Sequence, residues 1–352
     1  MSKIKLGVIF GGMSTEHDVS IVSGLSVLKN LNKEKYEIYP IYISESGEMY
    51  EYLEDYSNKE IKVGDKLENI SKLENPIGYL KNMDCIFPVL HGLYGEDGTI
   101  QGLFELIKVP YVGCKVLASS VAMDKAYAKV IFEKAGLNQA KYVYVRKFKD
   151  KYIYVDEDFS EKVCFIEELA SEIENKIKYP MFVKPSNSGS SVGINKVKNI
   201  EELKEAIEYA AKFDKKILVE EGILGREVEC AVLGNEIVEA SCIGEVLSAE
   251  EFYSYDSKYN NSESKTVIPA DMDQNISEEI RKTAIKAFKA IDGKGLSRVD
   301  FFVENETNKI IINEINTLPG FTSISMYPKL FEAVGVKYDK LLDKVIELSM
   351  EK

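Results

Sequence analysis

The clearest alternation of apolar and polar positions in the chain lies between residues 298 and 325, RVDFFVENETNKIIINEINTLPGFTSIS. Val299, Phe301 and Val303 alternate with side chains of the opposite face, and this period of two is typical of a β-strand. Four polar residues then supply a turn, and the apolar run at 309–315 predicts a return strand. The pattern therefore predicts a β-hairpin in this segment.

One face of this hairpin brings carboxylates together. Glu314 and Asn316 are two residues apart and share a face, and pairing through the turn places Asp300 opposite Glu314. Opposed carboxylates destabilise a hairpin unless a hard cation lies between them. Because these three side chains offer only oxygen ligands, the pattern suits Mg²⁺ shared with phosphates. The alternative is a hairpin with one solvated polar face, and the pattern alone favours that alternative.

The segment that follows the hairpin changes this balance. Residues 317–320, Thr-Leu-Pro-Gly, end the strand abruptly, and Thr322, Ser323 and Ser325 come directly after them. A loop of exposed backbone N–H groups beside a cation is a place where an anion binds. The hairpin and its loop together therefore predict a binding site.

The start of the chain alternates between apolar runs and glycine loops. The run at 4–10 ends in Gly11-Gly12, and a helical pattern begins near Asp18. Strand, glycine loop and helix predict the opening of a doubly wound α/β sheet, with a further strand at 36–43. The loop GGMSTEH is not GxGxxG, so dinucleotide binding is not indicated.

A second glycine loop follows the strand predicted at 84–89. Residues 91–98, HGLYGEDG, contain three glycines, which is typical of a ligand loop at the carboxyl edge of a sheet. The two histidines of the chain, His17 and His91, each lie in one of these loops. A lone histidine is usually structural, but this coincidence predicts a pocket that the two loops share.

The middle of the chain carries a third loop of this kind. A strand at 181–184 ends at Lys184, and the serine- and glycine-rich loop at 186–193 has N–H groups and hydroxyls that could cover phosphates. It is not a Walker A loop, because the lysine precedes it, and a flexible turn is the alternative. One amphipathic helix is predicted at 119–135, with Met-Asp-Lys at 123–125.

A long polar segment at 248–265 contains Tyr253, Tyr255 and Tyr259. Segments of this length without regular structure are usually lids or disordered, and the tyrosines favour a lid. The remaining patterns predict strands at 142–145, 217–221 and 226–233 and helices at 200–213, 276–292 and 338–350.

Composition narrows the possible partners. The 352 residues suffice for two or three domains, and 45% apolar with 29% charged residues is ordinary for a globular protein. The net charge of −13 argues against nucleic acid and anionic membranes as partners. The five cysteines form no CxxC pair, and no apolar run approaches a membrane span. With no signal-peptide pattern at the start, a cytoplasmic location is expected.

Six segments taken together resemble the D-alanine:D-alanine ligases of the ATP-grasp superfamily. They occur in that family's order and spacing, which is far more specific than any one of them. They lie at 7–20, 91–102, 123–125, 182–193, 297–302 and 313–325. The resemblance implies an N-terminal α/β domain at 1–114 and a two-part ATP-grasp fold. The implied parts are a central subdomain at 115–222 and a C-terminal subdomain at 223–352 with the lid at 248–265.

The resemblance implies ATP and two Mg²⁺ per site, with Mn²⁺ as a possible substitute. Asp300, Glu314 and Asn316 are the implied metal ligands, with Glu314 bridging the two ions. Lys125 and Lys184 would bind phosphates, and Glu227 the ribose. The implied ATP-binding residues are Lys125, Lys184, Ser188, Gly189, Ser190, Ser191, Val192, Glu220, Glu221, Ile223, Glu227, Phe252 and Lys258.

The resemblance also implies how the amino-acid substrates bind. Glu16, helped by His91, would hold the ammonium of the first D-alanine. Arg298 and the backbone N–H of Gly320 would stabilise the oxyanion at the attacked carbonyl. Ser325 and the backbone near Met326 would take the second carboxylate.

Ser190 and Tyr259, with Glu16, would form a hydrogen-bonded trio that joins the lid to the site. Relatives that accept D-lactate often have phenylalanine at the position of Tyr259, so D-alanine is expected over D-lactate. Many relatives have histidine where this chain has Ile324, which removes a polar group beside Ser325. D-alanine is expected over D-serine, which an apolar pocket discriminates poorly.

The function that the resemblance implies is ATP-dependent ligation of two D-alanines, for peptidoglycan precursor synthesis, by a homodimer. One alternative is a D-alanine:D-serine ligase of the vancomycin-resistance type. Another is a nucleotide-binding protein without ligase turnover, although such a module has no need of an oxyanion arginine such as Arg298. A third alternative is a catalytically silent α/β protein, which would require that all six motifs occur by chance.

Overall fold

A computed structural model of the chain describes residues 2–57, 62–189, 192–247, 265–322 and 324–351. Three β-sheets organise this part of the chain, and each carries its own helices. The predicted lid lies outside the described residues except for residue 265. Ser190, Ser191 and Ser323 also lie outside them.

The first sheet has the strand order β4-β3-β2-β1-β5. Its strand β1 pairs in parallel with β2 and β5, as predicted, and six of its eight residues are buried, which is typical of a parallel strand covered on both faces. The elements are β1 Ile4–Gly11, β2 Tyr36–Ile43, β3 Met49–Tyr52, β4 Ile70–Lys72, β5 Cys85–Pro88, α1 His17–Asn30, α2 Pro76–Leu80 and α3 Thr99–Ile107.

This sheet is not wholly parallel, which corrects the expectation of a parallel doubly wound domain. Strands β3 and β4 extend it in antiparallel pairing. They are four and three residues long, and every residue of β4 is exposed. Neither strand is long or apolar enough to give a period-two pattern, so the sequence did not predict them.

The second sheet is antiparallel throughout, in the order β10-β9-β11-β6-β7-β8. Helix α7 shows why its sequence folds in this way. Asn199 caps its N-terminus by accepting from the Glu202 N–H, and Leu203, Ala206 and Ile207 recur at helical spacing on its buried face. The elements are β6 Tyr142–Phe148, β7 Lys151–Val155, β8 Glu161–Cys164, β9 Met181–Pro185, β10 Asn195–Val197, β11 Lys216–Glu221, α6 Ile166–Lys176 and α7 Ile200–Ala210.

The single helix predicted at 119–135 is instead two helices, α4 Val116–Met123 and α5 Lys125–Lys134. Asp124 between them has extended backbone angles and accepts a hydrogen bond from the Tyr127 N–H, so it caps the second helix. The apolar periodicity continues across the break, and for this reason the pattern predicted one helix. An aspartate before a helical turn is nevertheless a start signal for a second helix.

The third sheet has the order β14-β13-β12-β15-β16. Alternate residues of β12 enter different cores, with Cys230 and Val232 on one face and Ala231 and Leu233 on the other. The elements are β12 Gly225–Gly234, β13 Val238–Leu247, β14 Lys265–Val267, β15 Gly295–Glu304, β16 Ile310–Asn316, α8 Gln274–Ala290, α9 Met326–Ala333 and α10 Tyr338–Ser349.

The first and third sheets share one hydrophobic core. Phe87 of β5 packs edge-to-face on Phe321, with ring centroids 5.6 Å apart and planes at 88°, and Leu330 and Val345 of α9 and α10 extend the same cluster. The second sheet packs against α6 and α7 in a separate cluster. None of the described helices has the length and apolar character needed to cross a bilayer.

Candidate active site

The predicted hairpin forms between β15 and β16, and Asp300 pairs directly with Glu314 as expected. Arg298 pairs with Asn316 two residues away, so these four side chains share one face. A bulge follows at once, because Phe301 pairs with Ile312 instead of residue 313. Bulges re-aim side chains beside functional sites, and this one ends the regular ladder next to the acidic pair.

The facing carboxylates do not repel unopposed, which corrects the expectation that only a metal would balance them. Arg298 donates from Nε and Nη2 to the two carboxylate oxygens of Asp300 at 2.8 and 2.7 Å. Its Nε also lies 2.9 Å from Glu229 Oε2 on β12. Although burial alone would lower the pKa of Arg298, Asp300 and Glu229 raise it well above its usual value. Lys125 Nζ lies 3.7 Å from Glu314.

The donor set at this position is chemically suited to a hard divalent cation. It consists of two carboxylates and the amide of Asn316, whose Oδ1 accepts from the Leu318 N–H at 3.1 Å. Each oxygen that accepts one hydrogen bond retains a further lone pair. Within the described residues no group of three or more His, Cys, Asp and Glu side chains could hold a metal, so the amide is needed to complete the set.

A buried charge cluster lies on the neighbouring sheet. Glu220 of β11 makes ion pairs with Lys184 of β9 and with Lys129 of α5, the latter at 2.5 Å. Burial by itself would raise the pKa of Glu220, but the two ammonium groups lower it to about 2. Burial lowers the pKa of Lys129, whereas the nearby carboxylates outweigh burial and raise the pKa of Lys184. The sequence had not singled out Lys129.

The loop after β9 is anchored where α5 begins. Ser186 Oγ donates to Asp124 Oδ1 at 2.7 Å, and Lys216 Nζ donates to Asp124 Oδ2 at 2.5 Å. The Lys125 ammonium donates to the carbonyl of Ser188 at 2.7 Å. The loop therefore starts from a fixed position beside Lys125, and its first residues are held by side-chain charges.

One cavity of about 410 Å³ lies between the second and third sheets. Its apolar walls come from side chains such as Phe182, Leu224 and Ile312, and its polar walls include carboxylates and lysines. A ligand with a flat aromatic ring system at one end and an anionic group at the other would match these apolar and polar walls. The predicted residues that line it are Lys125, Lys184, Glu220, Glu221, Ile223, Glu227, Arg298, Asp300 and Glu314.

A second cavity of about 370 Å³ lies between the first and third sheets. It contains most of the side chains predicted to bind amino acids. The predicted residues that line it are Glu16, His91, Lys125, Ser188, Gly189, Arg298, Glu314, Asn316, Gly320, Ser325 and Met326. Ile324 also lines it and is 63% exposed. Ser188 and Gly189 therefore line this cavity and not the first one.

The two cavities share a wall. Lys125, Glu229, Arg298 and Glu314 line both of them. A group bound in one cavity can therefore meet a group bound in the other beside a guanidinium and a lysine ammonium. This arrangement suits transfer of an anionic group between two ligands.

The glycine loops that follow β1 and β5 are hydrogen-bonded to each other at the smaller cavity. Ser14 Oγ donates to the His91 carbonyl at 2.5 Å, and the Gly92 N–H donates to Glu96 at 2.7 Å. Gly92 has a φ of +72°, and a side chain there would meet the Glu16 carboxylate at 2.7 Å. Glycine is favoured at this position, because the backbone angle is strained for other residues and a Cβ would force the Glu16 carboxylate to shift.

Glu96 belongs to the candidate site but was not predicted from the sequence. It lines the smaller cavity, and burial, followed by the neighbouring Glu16 carboxylate, raises its pKa to about 8. The sequence signal that points to Glu96 is its place in the glycine-rich loop HGLYGEDG, between Gly95 and Gly98. A carboxyl that holds its proton at neutral pH can donate a hydrogen bond beside Glu16.

The two histidines do not share a pocket, which corrects that expectation. His17 bonds the Gly12 carbonyl through Nδ1 at 2.6 Å and Tyr42 through Nε2 at 3.2 Å, and it is not among the cavity walls. His91 lines the smaller cavity, but its nitrogens contact the Leu318 carbonyl and Ser23 Oγ. Burial lowers the pKa of His91, so a neutral ring holds the loop in place.

Ser325 lies at the N-cap of α9, and Met326 is its first residue. Ser325 Oγ accepts from the Thr322 N–H at 3.0 Å and pairs with the Thr322 hydroxyl at 2.7 Å. A helix N-terminus favours a bound carboxylate through its unpaired N–H groups. The sequence points to both residues but not to the helix that gives them this property.

Six of the predicted site residues cannot be assigned to a cavity wall: one is described but lines neither cavity, and five lie outside the described residues. Val192 is described, and its carbonyl accepts from Ser188 Oγ at 3.1 Å, but it does not line a cavity. The other predicted residues lie outside the described part of the chain: Ser190, Ser191, Phe252, Lys258 and Tyr259.

Family models match almost the whole chain. Residues 5–114 match the model described as "D-ala D-ala ligase N-terminus", and residues 131–347 match "D-ala D-ala ligase C-terminus". The chain is 48% identical to the D-alanine–D-alanine ligase of Acetivibrio thermocellus, over 99% of the chain and 96% of that protein. It is 49% identical to the ligase of that name from Clostridium acetobutylicum, over 99% of the chain and 98% of that protein.

Solved structures agree with this assignment. The fold matches the VanG D-Ala:D-Ser ligase of Enterococcus faecalis with a TM-score of 0.85 at 37% identity, covering 99% of this chain and 100% of that one. It matches the D-alanine–D-alanine ligase of Coxiella burnetii with a TM-score of 0.81 at 32% identity, covering 99% and 94%.

Proposed function

The chain belongs to the D-alanine–D-alanine ligase family, and we propose from this premise how its residues carry the reaction. It is an ATP-grasp enzyme that joins two D-alanines into D-alanyl-D-alanine with ATP. The observation that carries the proposal is the shared wall, where Lys125, Arg298 and Glu314 face both cavities.

The larger cavity takes ATP. The apolar slot formed by Phe182 and Ile312 accepts the base, and Glu227 lies where a ribose hydroxyl can donate to it. Lys125 and Lys184 bind phosphate oxygens as mobile point charges. Ser188 and Gly189, which line the smaller cavity, then contact the phosphates from that side.

Asp300, Glu314 and Asn316 would hold Mg²⁺, or Mn²⁺ in its place, two ions per site. When bound, these ions neutralise the charge of the triphosphate. The chain contributes one cation of its own, because Arg298 is held by Asp300 and Glu229 through Nε and Nη2, and a guanidinium has five N–H donors in all.

The first D-alanine binds in the smaller cavity with its ammonium at Glu16. Its carboxylate oxygen attacks the γ-phosphorus of ATP, and the bond from that phosphorus to ADP breaks, which gives D-alanyl phosphate. The second D-alanine binds with its carboxylate at Ser325 and the N-terminus of α9. Its amine attacks the acyl carbon, loses a proton, and the carbon–oxygen bond to phosphate breaks. Arg298 and the Gly320 N–H stabilise the oxyanion in this step.

We also propose where and in what form the enzyme works. It supplies the dipeptide for the peptidoglycan precursor in the cytoplasm as a homodimer, with units that divide at residues 114 and 222. The membership of the family supports these proposals. Sedimentation of the purified protein checks the dimer, since a monomer at assay concentration would contradict it.

A D-alanine:D-serine ligase is the second candidate, because the VanG D-Ala:D-Ser ligase matches the fold over the whole chain. D-alanine is expected to prevail over D-serine at the second position, and over D-lactate as well. A competition between D-alanine and equal D-serine or D-lactate, with products separated by mass, tests this. A dominant D-alanyl-D-serine product would move the assignment to the second candidate.

The reaction itself is tested by phosphate release from ATP and Mg²⁺ with a panel of D- and L-amino acids. Release is expected with D-alanine and not with L-alanine or without amino acid. An Arg298→Ala variant should lose this release, and the turn variant Glu306→Gln should keep it as the matched control. Release that does not depend on an amino acid would contradict ligase function.

A further inference from the structure

Lys129 is a buried cation that the proposed reaction does not use. Only 4% of its side chain is exposed, and it lies one helical turn after Lys125 on α5. Its partner Glu220 is 5% exposed, and Lys184, the other partner of Glu220, is 14% exposed and lines the ATP cavity. The cluster therefore has one cation at the cavity wall and one cation behind it.

Sheet register fixes this arrangement. Lys184 pairs with Leu218, and Glu220 lies two residues further along the same strand, so both side chains point from one face of the second sheet. Leu218 and Ala126 belong to one apolar cluster on that face, which brings α5 against it. The helix therefore brings the Lys129 ammonium to the Glu220 carboxylate, although Lys129 is not among the cavity walls.

We propose that Lys129 is a positioning residue, a fixed counter-charge that allows Lys184 to turn from Glu220 to a phosphate of ATP. A buried carboxylate that loses its cation is strongly destabilising. Because Lys129 stays on Glu220, the departure of Lys184 leaves that carboxylate paired. This proposal rests on the proposed function, in which Lys184 binds phosphate.

The same charge balance explains why two lysines share one carboxylate. Without Lys129, Lys184 would be the sole cation of this cluster on Glu220. Moving Lys184 to a phosphate would then leave the Glu220 carboxylate buried without a counter-charge, which is unfavourable. With Lys129 present, the cluster carries one positive charge in excess, which favours a polyanion at the cavity wall. Lys129 thus affects ATP binding without lining the cavity itself.

Thermal unfolding of the nucleotide-free protein tests the first half of the proposal. Lys184→Met imitates the state in which Lys184 has left, and it should lower Tm only slightly. The double variant Lys129→Met with Lys184→Met should lose far more, up to failure to fold, because Glu220 is then buried without either cation. A Lys184→Met protein as unstable as the double variant would overturn the role of Lys129.

ATP binding in the presence of Mg²⁺ and without D-alanine, measured by titration calorimetry, tests the second half. Lys129→Met should weaken ATP binding by about 5- to 150-fold, the usual range for coupled sites. In a Glu220→Gln background the same substitution should have no further effect, since no anion remains to retain Lys184. Loss of the same size in both backgrounds would overturn the proposal.

Lys125→Met is the matched control on the same helix, because Lys125 pairs with Glu314. Its effect on ATP binding should be the same in the wild-type and Glu220→Gln backgrounds, and dependence on Glu220 would contradict the assignment to Lys129. Wild-type protein that binds no ATP would remove the proposed function, whereas the unfolding measurements would still decide whether Lys129 satisfies Glu220.

Discussion

Arg298 is the side chain that balances the charges of the hairpin. Its guanidinium holds both oxygens of Asp300 and also contacts Glu229, so one positive charge offsets part of the acidic face before any ligand binds. The planar fork of arginine suits this bidentate contact, and lysine could not reproduce it. The position of Asp300 therefore depends on Arg298 as well as on the strand.

Asp300→Asn tests this balance. Turnover should be nearly abolished, and the free energy of unfolding should fall by about 1–3 kcal/mol because a charged hydrogen-bonded contact is lost. Phosphate release and thermal unfolding measure the two effects, with the exposed turn variant Glu306→Gln as control. A rise in Tm would mean that the carboxylates are strained, and wild-type turnover would remove Asp300 from the site.

Glu96 makes stability depend on pH in a predictable direction. Its pKa is raised from 4.5 to about 8 in the folded state, so between these values the folded chain keeps a proton that the unfolded chain has lost. Stability therefore falls as pH rises from about 5 to 8, by at most about 1.4 kcal/mol per pH unit. Glu96→Gln removes this dependence, because glutamine cannot ionise.

Unfolding of Glu96→Gln and wild type across pH 5 to 8 checks this. The stability of the variant relative to wild type should increase steadily with pH, whereas the exposed control Glu34→Gln should show a constant difference. A relative stability of Glu96→Gln that does not change with pH would contradict the raised pKa.

The hairpin residues were predictable because strand pairing is a local property. Once the turn was recognised, Asp300 had to meet Glu314, and Asn316 had to lie beside it. Glu229 belongs to a strand much earlier in the chain, and Glu96 comes from a loop of the first sheet. Their approach depends on the tertiary fold, which no period in the sequence expresses.

Among the elements, the break between α4 and α5 has the clearest consequence for the site. Asp124 caps α5, binds Lys216 and accepts from Ser186, so it joins the start of a helix to the loop that follows β9. Two helices meet where the sequence suggested one, and the break delivers Lys125 to the shared wall of the cavities.

Asp124→Ala should therefore affect both stability and nucleotide binding. The lost cap costs about 1 kcal/mol, and the KM for ATP should rise because the loop start is no longer fixed. Asn199→Ala is the matched control, since Asn199 caps α7 through a similar hydrogen bond. Equal KM values for ATP in the two variants would mean that Asp124 is only a cap.

Over the whole molecule, the core that joins the first and third sheets sets the frame of the smaller cavity. Phe87 and Phe321 meet across this boundary, while the second sheet has its own core around residues such as Ile173. The order of the three sheets along the chain was predictable from its motifs. The shared core was not, because its residues come from opposite ends of the chain.

Hydrogen exchange should reveal this division. Phe87→Ala should cost about 3–5 kcal/mol and speed exchange in β1 and in α10 together. Ile173→Ala, a matched core truncation, should speed exchange in the second sheet and leave α10 unchanged. Faster exchange in β1 alone after Phe87→Ala would contradict a shared core.

The proposed reaction depends on one step, the phosphorylation of a D-alanine carboxylate at the wall between the two cavities. The most direct measurement uses D-alanine labelled with ¹⁸O in its carboxylate, together with ATP and Mg²⁺, and determines the label in the released phosphate by mass. Attack of the carboxylate on the γ-phosphorus predicts one ¹⁸O atom in each phosphate, formed together with D-alanyl-D-alanine. Unlabelled phosphate would contradict the account, since it would mean that water and not D-alanine receives the phosphoryl group.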